Sequence, residues 1–144
     1  MSKNDDKYSI SDLYNAMSEE IIREKRPDVL ACGFSVGFIS CDKPKTLNKV
    51  KKVLGECKKV QPLEKLFCPF DFLIIIYEPN CEGLTEDQMK ILLWHELEHI
   101  GIDEDGEGFI VPHDVEEFDD IIKAHGLHWA DNVPRGTIGG QDNG

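Results

Sequence analysis

The chain has 144 residues, 28 acidic and 16 basic side chains, and a formal charge of −12. That length suits one domain, which hides roughly 70% of the surface its unfolded chain exposes, and 40% apolar with 31% charged residues is a globular composition. The acidic excess argues against nucleic acid, whose phosphates need clustered Lys and Arg, and against an anionic membrane surface.

The first residues, Met1 to Asp6, are polar, with no signal-peptide core behind them. The longest apolar run, Phe72 to Tyr77, has six residues, far short of the ~18 a membrane span needs. Five cysteines (32, 41, 57, 68, 81) form no CxxC. Their odd number suits reduced thiols, so a cytoplasmic location is expected.

Ser9 to Lys25 reads as an amphipathic helix, with Ile10, Leu13, Tyr14, Met17 and Ile21 at helical spacing. Ser9 caps it, with Asp12 three residues on, and Pro27 follows its end. Leu30 to Ile39 reads as a buried strand. Pro44 to Glu56 is basic and reads as a short helix or a strand-flanking loop. Gln61 to Pro69 is loop-like. Phe70 to Glu78 is a strand closed by Pro79-Asn80.

Thr85-Glu-Asp-Gln88 is a capping box. The helix it opens is predicted to run to about Ile100 and stop at Gly101. Ile91, Leu92, Leu93 and Trp94 mark that helix as buried. Asp103 to Gly108 is an acidic turn, and Phe109 to Val111 a short strand. Asp114-Val-Glu-Glu117 is a second capping box, opening a helix with Val115, Phe118, Ile121 and Ile122 on one face and Gly126 at its end. From Asp131 onward the chain is Gly-rich and polar, so 131–144 reads as a tail after a domain at 1–130.

The late part of the first capped helix holds His95-Glu96-Leu97-Glu98-His99, an HExxH. Residues four apart stand one turn apart on one helix face, so both imidazoles reach one metal ion. Glu96 lies about 100° round the helix from His95, where it can take a proton from metal-bound water. Zinc lowers the pKa of such water to about 7. A catalytic zinc wants a third protein ligand and one open position.

The candidates for that ligand are His113, Glu117, Asp105, and His125 or His128. Thirteen residues separate His99 from His113, which stands between Pro112 and Asp114 at the next helix start. Glu117 is already explained by its capping box. Asp105 falls at the metzincin third-ligand position, but Ile102 replaces the glycine of that pattern. His125 and His128 sit at a helix end, where a cationic His suits the dipole. For oxyanion stabilisation, Tyr77, His125 and His128 are unranked. Residues 103–114 also place Asp103, Asp105, Glu107, Gly108, Ile110 and Asp114 at EF-hand loop positions, but Asp114 stands where a bidentate Glu belongs, so a plain acidic turn is the better reading.

Trp94 to Ile102, followed by Val111-Pro-His-Asp-Val-Glu-Glu-Phe118, resembles the putative phage metallopeptidase family. The resemblance is strongest over 72–127. It implies an α+β, zincin-like domain: an N-terminal helix, a small β-sheet, the HExxH helix packed on it, and a following C-terminal helix. It maps His95, Glu96, His99 and His113 onto the family's site. The chain is also similar to SprT-type zincins, but lacks their cysteine-rich ribbon and basic face.

The expected protein is therefore a zinc metallopeptidase hydrolysing peptide bonds. Zn2+ is held by His95, His99 and His113, and Glu96 activates the zinc-bound water. Strand Phe70–Glu78, if it lies at the sheet edge, offers a polypeptide substrate a partner for β-augmentation; a central core strand is the competing role. The alternative function is a non-catalytic, metal-stabilised binding or regulatory protein of a mobile element. A structural site has no need of Glu96, which favours the enzyme. Residues 78–120 carry 15 of the 28 acids and one base, Lys90. That field suits a divalent cation and a basic or neutral polypeptide, with no nucleic acid and no membrane.

Overall fold

The computed structural model describes residues 7–112. A short strand β1 (Tyr8–Ile10) leads into helix α1 (Asp12–Lys25) and a five-residue helix α2 (Pro27–Ala31). Strand β2 (Val36–Cys41), a small hairpin β3–β4 (Thr46–Leu47 and Lys51–Lys52), β5 (Gly55–Lys59) and β6 (Phe72–Tyr77) follow. Helix α3 (Glu86–Leu97) and a second hairpin, β7–β8 (Ile100–Ile102 and Gly108–Ile110), complete these residues.

The protein is α+β, as expected. Four strands make one mixed sheet in the order β1-β2-β6-β5, with β2 and β6 parallel and both outer pairs antiparallel. Phe38, Phe72, Ile74 and Ile76 alternate onto the face that meets the helices, and each is at most 2% exposed. Against them lie Ile91, Leu92, Leu93 and Leu97 of α3 and Tyr14, Ile21 and Ile22 of α1. Ile39, Cys41, Ile75 and Tyr77 take the opposite face, with Val53 packed there. Helix α3 is buried nearly all round, as its apolar run and Trp94 imply.

Several boundaries differ from the sequence reading. Ser9 belongs to β1, and the α1 cap is Ser11, whose Oγ accepts the Tyr14 N–H at 3.1 Å. Ile10 and Leu13 are exposed, and the buried stripe runs through Tyr14, Ser18, Ile21 and Ile22. The strand expected over Leu30 to Ile39 starts later, at Val36: Pro27 opens helix α2, which takes in Leu30 and Ala31, and Gly33 at φ +79° turns the chain toward β2. The basic stretch makes a hairpin that turns through Asn48 and Lys49, both at positive φ, rather than a helix. Strand β6 takes the central role, so β5 is the edge beside α3. Gly101 lies in β7 instead of ending a helix; a Cβ there would stand 2.4 Å from the Phe109 ring across the hairpin.

Three expectations lie outside the described residues: the capping box at Asp114, the helix to Gly126, and the tail from Asp131.

Candidate metal centre

Helix α3 starts as its sequence requires. Thr85 Oγ1 accepts the Gln88 N–H at 3.1 Å, and Gln88 Oε1 accepts the Thr85 N–H at 2.8 Å. Its far end is held by remote groups. The helix closes at Leu97, and the His99 N–H turns back to the Glu96 carbonyl at 3.1 Å. Buried Arg26 donates to the Leu97 carbonyl at 2.6 Å and the Ile100 carbonyl at 2.7 Å. Asp28 grips the same guanidinium through two bonds of 3.0 Å. A cation at a helix C-terminus meets carbonyls that have no partner within the helix. The Arg26 hydrogen bond is the chief cause holding the Asp28 carboxyl below its usual range.

His95, Glu96 and His99 are 6%, 3% and 7% exposed. The two Nε2 atoms face each other at 3.3 Å, with the rings nearly perpendicular at 87°. Two nitrogens each about 2.05 Å from one tetrahedral ion stand about 3.3 Å apart, so the pair has the bite of a zinc site. His99 Nδ1 lies 2.9 Å from the Val111 carbonyl. A carbonyl only accepts, so in the neutral ring the proton is on Nδ1 and Nε2 carries the lone pair a metal needs. The Val111 N–H donates to the His99 carbonyl at 2.8 Å, so the β7–β8 hairpin fixes this residue by both main chain and ring.

Glu96 reaches the edge strand. A Cβ built on Gly55 would stand 3.3 Å from Glu96 Oε2, so glycine leaves the space this carboxylate occupies. Burial pushes the Cys57 thiol well above its usual range, and the Glu96 charge adds to the rise. Burial, then Glu78, then Glu96 push Cys81 up to about 12. Among the described residues neither thiol joins the histidines in a group of three ligating side chains.

The other sequence candidates fare differently. Asp105 is exposed in the β7–β8 turn, where its N–H donates to Asp103 Oδ1. Among the described residues no group of three ligating side chains forms, so Asp105 does not join the histidines. Strand β7, not a helix, leads directly into residue 103, unlike the entry of an EF-hand loop, and the residues after 112 lie outside the described residues. Tyr77 is on the face away from α3, donating to Glu56, because strand alternation sends it opposite Ile76. It is not an oxyanion partner there. His113, Glu117, His125 and His128 lie outside the described residues. Arg26, Gly55 and the Val111 carbonyl went unnoticed in the sequence. Only Arg26, a cation one residue before a helix-starting Pro, left any trace.

Two facing imidazoles, with an acid between them in sequence, thus stand at and just beyond the C-terminal end of a buried helix, the arrangement an HExxH pattern requires. A family model described as putative phage metallopeptidase matches residues 6–135, and the chain belongs to that family. No curated protein and no solved structure matches it. No helix among the described residues is long and apolar enough to cross a membrane.

Proposed function

We propose that this chain is a zinc-dependent peptidase with a zincin-like site, in which His95, His99 and His113 hold the ion and Glu96 is the general base. One observation carries the reading: the 3.3 Å approach of the two Nε2 atoms, with the Nδ1 of His99 occupied by a carbonyl. Zinc, when bound, supplies Lewis acidity toward the scissile carbonyl and water. Glu96 takes a proton from the attacking water and passes it to the departing amine. Arg26 and the Val111 carbonyl hold His99 in place while this happens.

The polypeptide substrate lies along β5. The Tyr77 N–H bonds to Leu54 and the Val60 N–H to Asp71, so residues 54, 56, 58 and 60 direct their backbone groups at β6. Those of Gly55 and Cys57 point outward, beside Glu96. They meet no backbone partner among the described residues, which suits strand addition. The five unpaired cysteines favour a reducing, cytoplasmic setting.

The low exposure of His95, Glu96 and His99 favours a second reading, a non-catalytic metal-stabilised binding protein. Metal content and turnover separate the two. Stoichiometric zinc in the wild type, lost in His95→Ala and His113→Ala and kept in Glu117→Ala, supports the ligand set. Zinc kept in His113→Ala and lost in Glu117→Ala overturns it. Glu96→Gln is expected to keep its zinc and to cut peptide-library cleavage by about a hundred- to ten-thousand-fold. Equal cleavage by both proteins removes Glu96 from the mechanism, and a zinc-loaded wild type that cleaves nothing leaves the binding protein ahead.

A further inference from the structure

The charge of −12 hides one basic segment. Residues 43–59 hold seven of the 16 basic side chains and a single acid, Glu56. This segment comprises the β3–β4 hairpin and the edge strand β5. Glu56 is engaged by Lys45 and by the Tyr77 hydroxyl, on the sheet face away from α3. The hairpin is tied to that end of the sheet: Asn80 Nδ2 donates to the Lys45 carbonyl at 2.8 Å and the Val53 carbonyl at 2.9 Å. Lys43, Lys49, Lys52 and Lys58 are exposed and make no ion pair among the described residues.

Lysines on an edge strand often serve only to prevent unwanted pairing. Two observations go further. The opposite edge, Tyr8-Ser9-Ile10, carries no charge at all, so charged edges are not the general device of this sheet. Five of the seven lysines also lie outside β5, in the hairpin or just before it.

We infer that the substrate strand added to β5 is acidic, with Asp or Glu at every second position on the side facing the lysines. The inference rests on the peptidase reading above for cleavage, but not for binding. Strand periodicity supplies the spacing. Gly55, Cys57 and Lys59 share a face with Ile76, Ile74 and Phe72, which meet α3, while Glu56 and Lys58 share the other with Ile75 and Leu73. A strand paired with β5 alternates in the same way, and a slip of one residue exchanges its two faces. Alternate side chains therefore meet the Glu96 side, and those between them share the face of Lys58 and of Lys45, which engages Glu56. The β7–β8 hairpin meets β5 toward its Lys59 end, where Lys59 Nζ donates to the Gly108 carbonyl at 2.8 Å.

Synthetic peptides of one length test this, with Glu or Lys at alternate positions and neutral residues between. Binding to full-length Glu96→Gln is read by fluorescence anisotropy, and cleavage by wild type is read by mass spectrometry. The Glu peptide is expected to bind about tenfold or more tightly than the Lys peptide, and to lose that advantage in K49E/K52E/K58E. Cuts in it are expected an even number of residues apart. Equal binding of the two peptides, tighter binding of the Lys peptide, or an advantage that survives the triple substitution overturns the inference. Binding of the Glu peptide without cleavage sinks the peptidase reading and leaves the acidic preference standing. Cleavage of both peptides alike does the reverse.

Discussion

The two ends of α3 are built in opposite ways. The N-terminal end is closed by Thr85 and Gln88, three residues apart, each bonding the other's main chain. The C-terminal end, where His95, Glu96 and His99 stand, is closed by Arg26 from 71 positions away and by the Val111 carbonyl from 12 away. A helix start needs only a local cap. A helix end that must aim two imidazoles at one point has to be set against the rest of the fold, because the last turn of a helix frays when nothing outside holds it.

The largest effect that would sharpen this contrast is expected at the histidines. His99→Ala should abolish zinc retention and turnover while leaving the helical circular dichroism near the wild-type value. Retained zinc would show that the facing pair is not the ligand pair.

Next comes Arg26→Ala. It removes two charge-assisted bonds to buried carbonyls, each worth about 1.5–3 kcal/mol, so a loss of about 3 kcal/mol or more in urea unfolding is expected. Zinc affinity should fall with it. Arg26→Lys should recover only part, because a single ammonium cannot copy the planar fork that meets two carbonyls and Asp28. If Arg26→Ala leaves zinc affinity unchanged, this end of the helix does not depend on its remote clamp.

Thr85→Ala ranks lower, at about 1 kcal/mol, and should leave zinc affinity untouched. A shared loss of zinc would erase the distinction between the two ends.

The smallest effect is in acid. Asp28 has its folded pKa lowered, chiefly by the Arg26 hydrogen bond. Its contribution is therefore full above the ordinary carboxylate pKa of about 4 and disappears as pH falls through the lower folded value. The Asp28 side chain is half exposed, so the contribution is modest. Asp28→Asn should lower the melting temperature slightly at pH 6, with the difference closing below pH 4. The Thr85→Ala difference should stay constant over that range.

The same division explains what could be read in the sequence. The capping box, the HExxH spacing, the buried character of α3 and strand β6 all depend on residues within a few positions of one another, and all were legible. Leu30 reads as strand because Val29, Leu30 and Phe34 are apolar without clear period; the turn at Gly33 separates helix from strand, and only tertiary packing reveals it. The cap moved from Ser9 to Ser11 because β1 claims Ser9 for pairing with Ser40, a contact between positions 31 apart. Gly55 leaves no signal as a neighbour of Glu96, since a glycine before Glu56 and Cys57 reads as any strand glycine. The choice of edge strand was equally hidden, because neighbour order in a sheet is a non-local property.

The main-chain origin of the His99 support has a consequence for how this site tolerates change. No side chain at position 111 supplies that hydrogen bond, and Val111 is 39% exposed. Saturation mutagenesis should therefore find position 111 nearly neutral, in contrast to His99 twelve residues before it. Proline is the exception: it deletes the N–H that pairs with the His99 carbonyl. A residue can thus support a buried imidazole while its identity drifts, leaving the support invisible to any comparison of sequences alone.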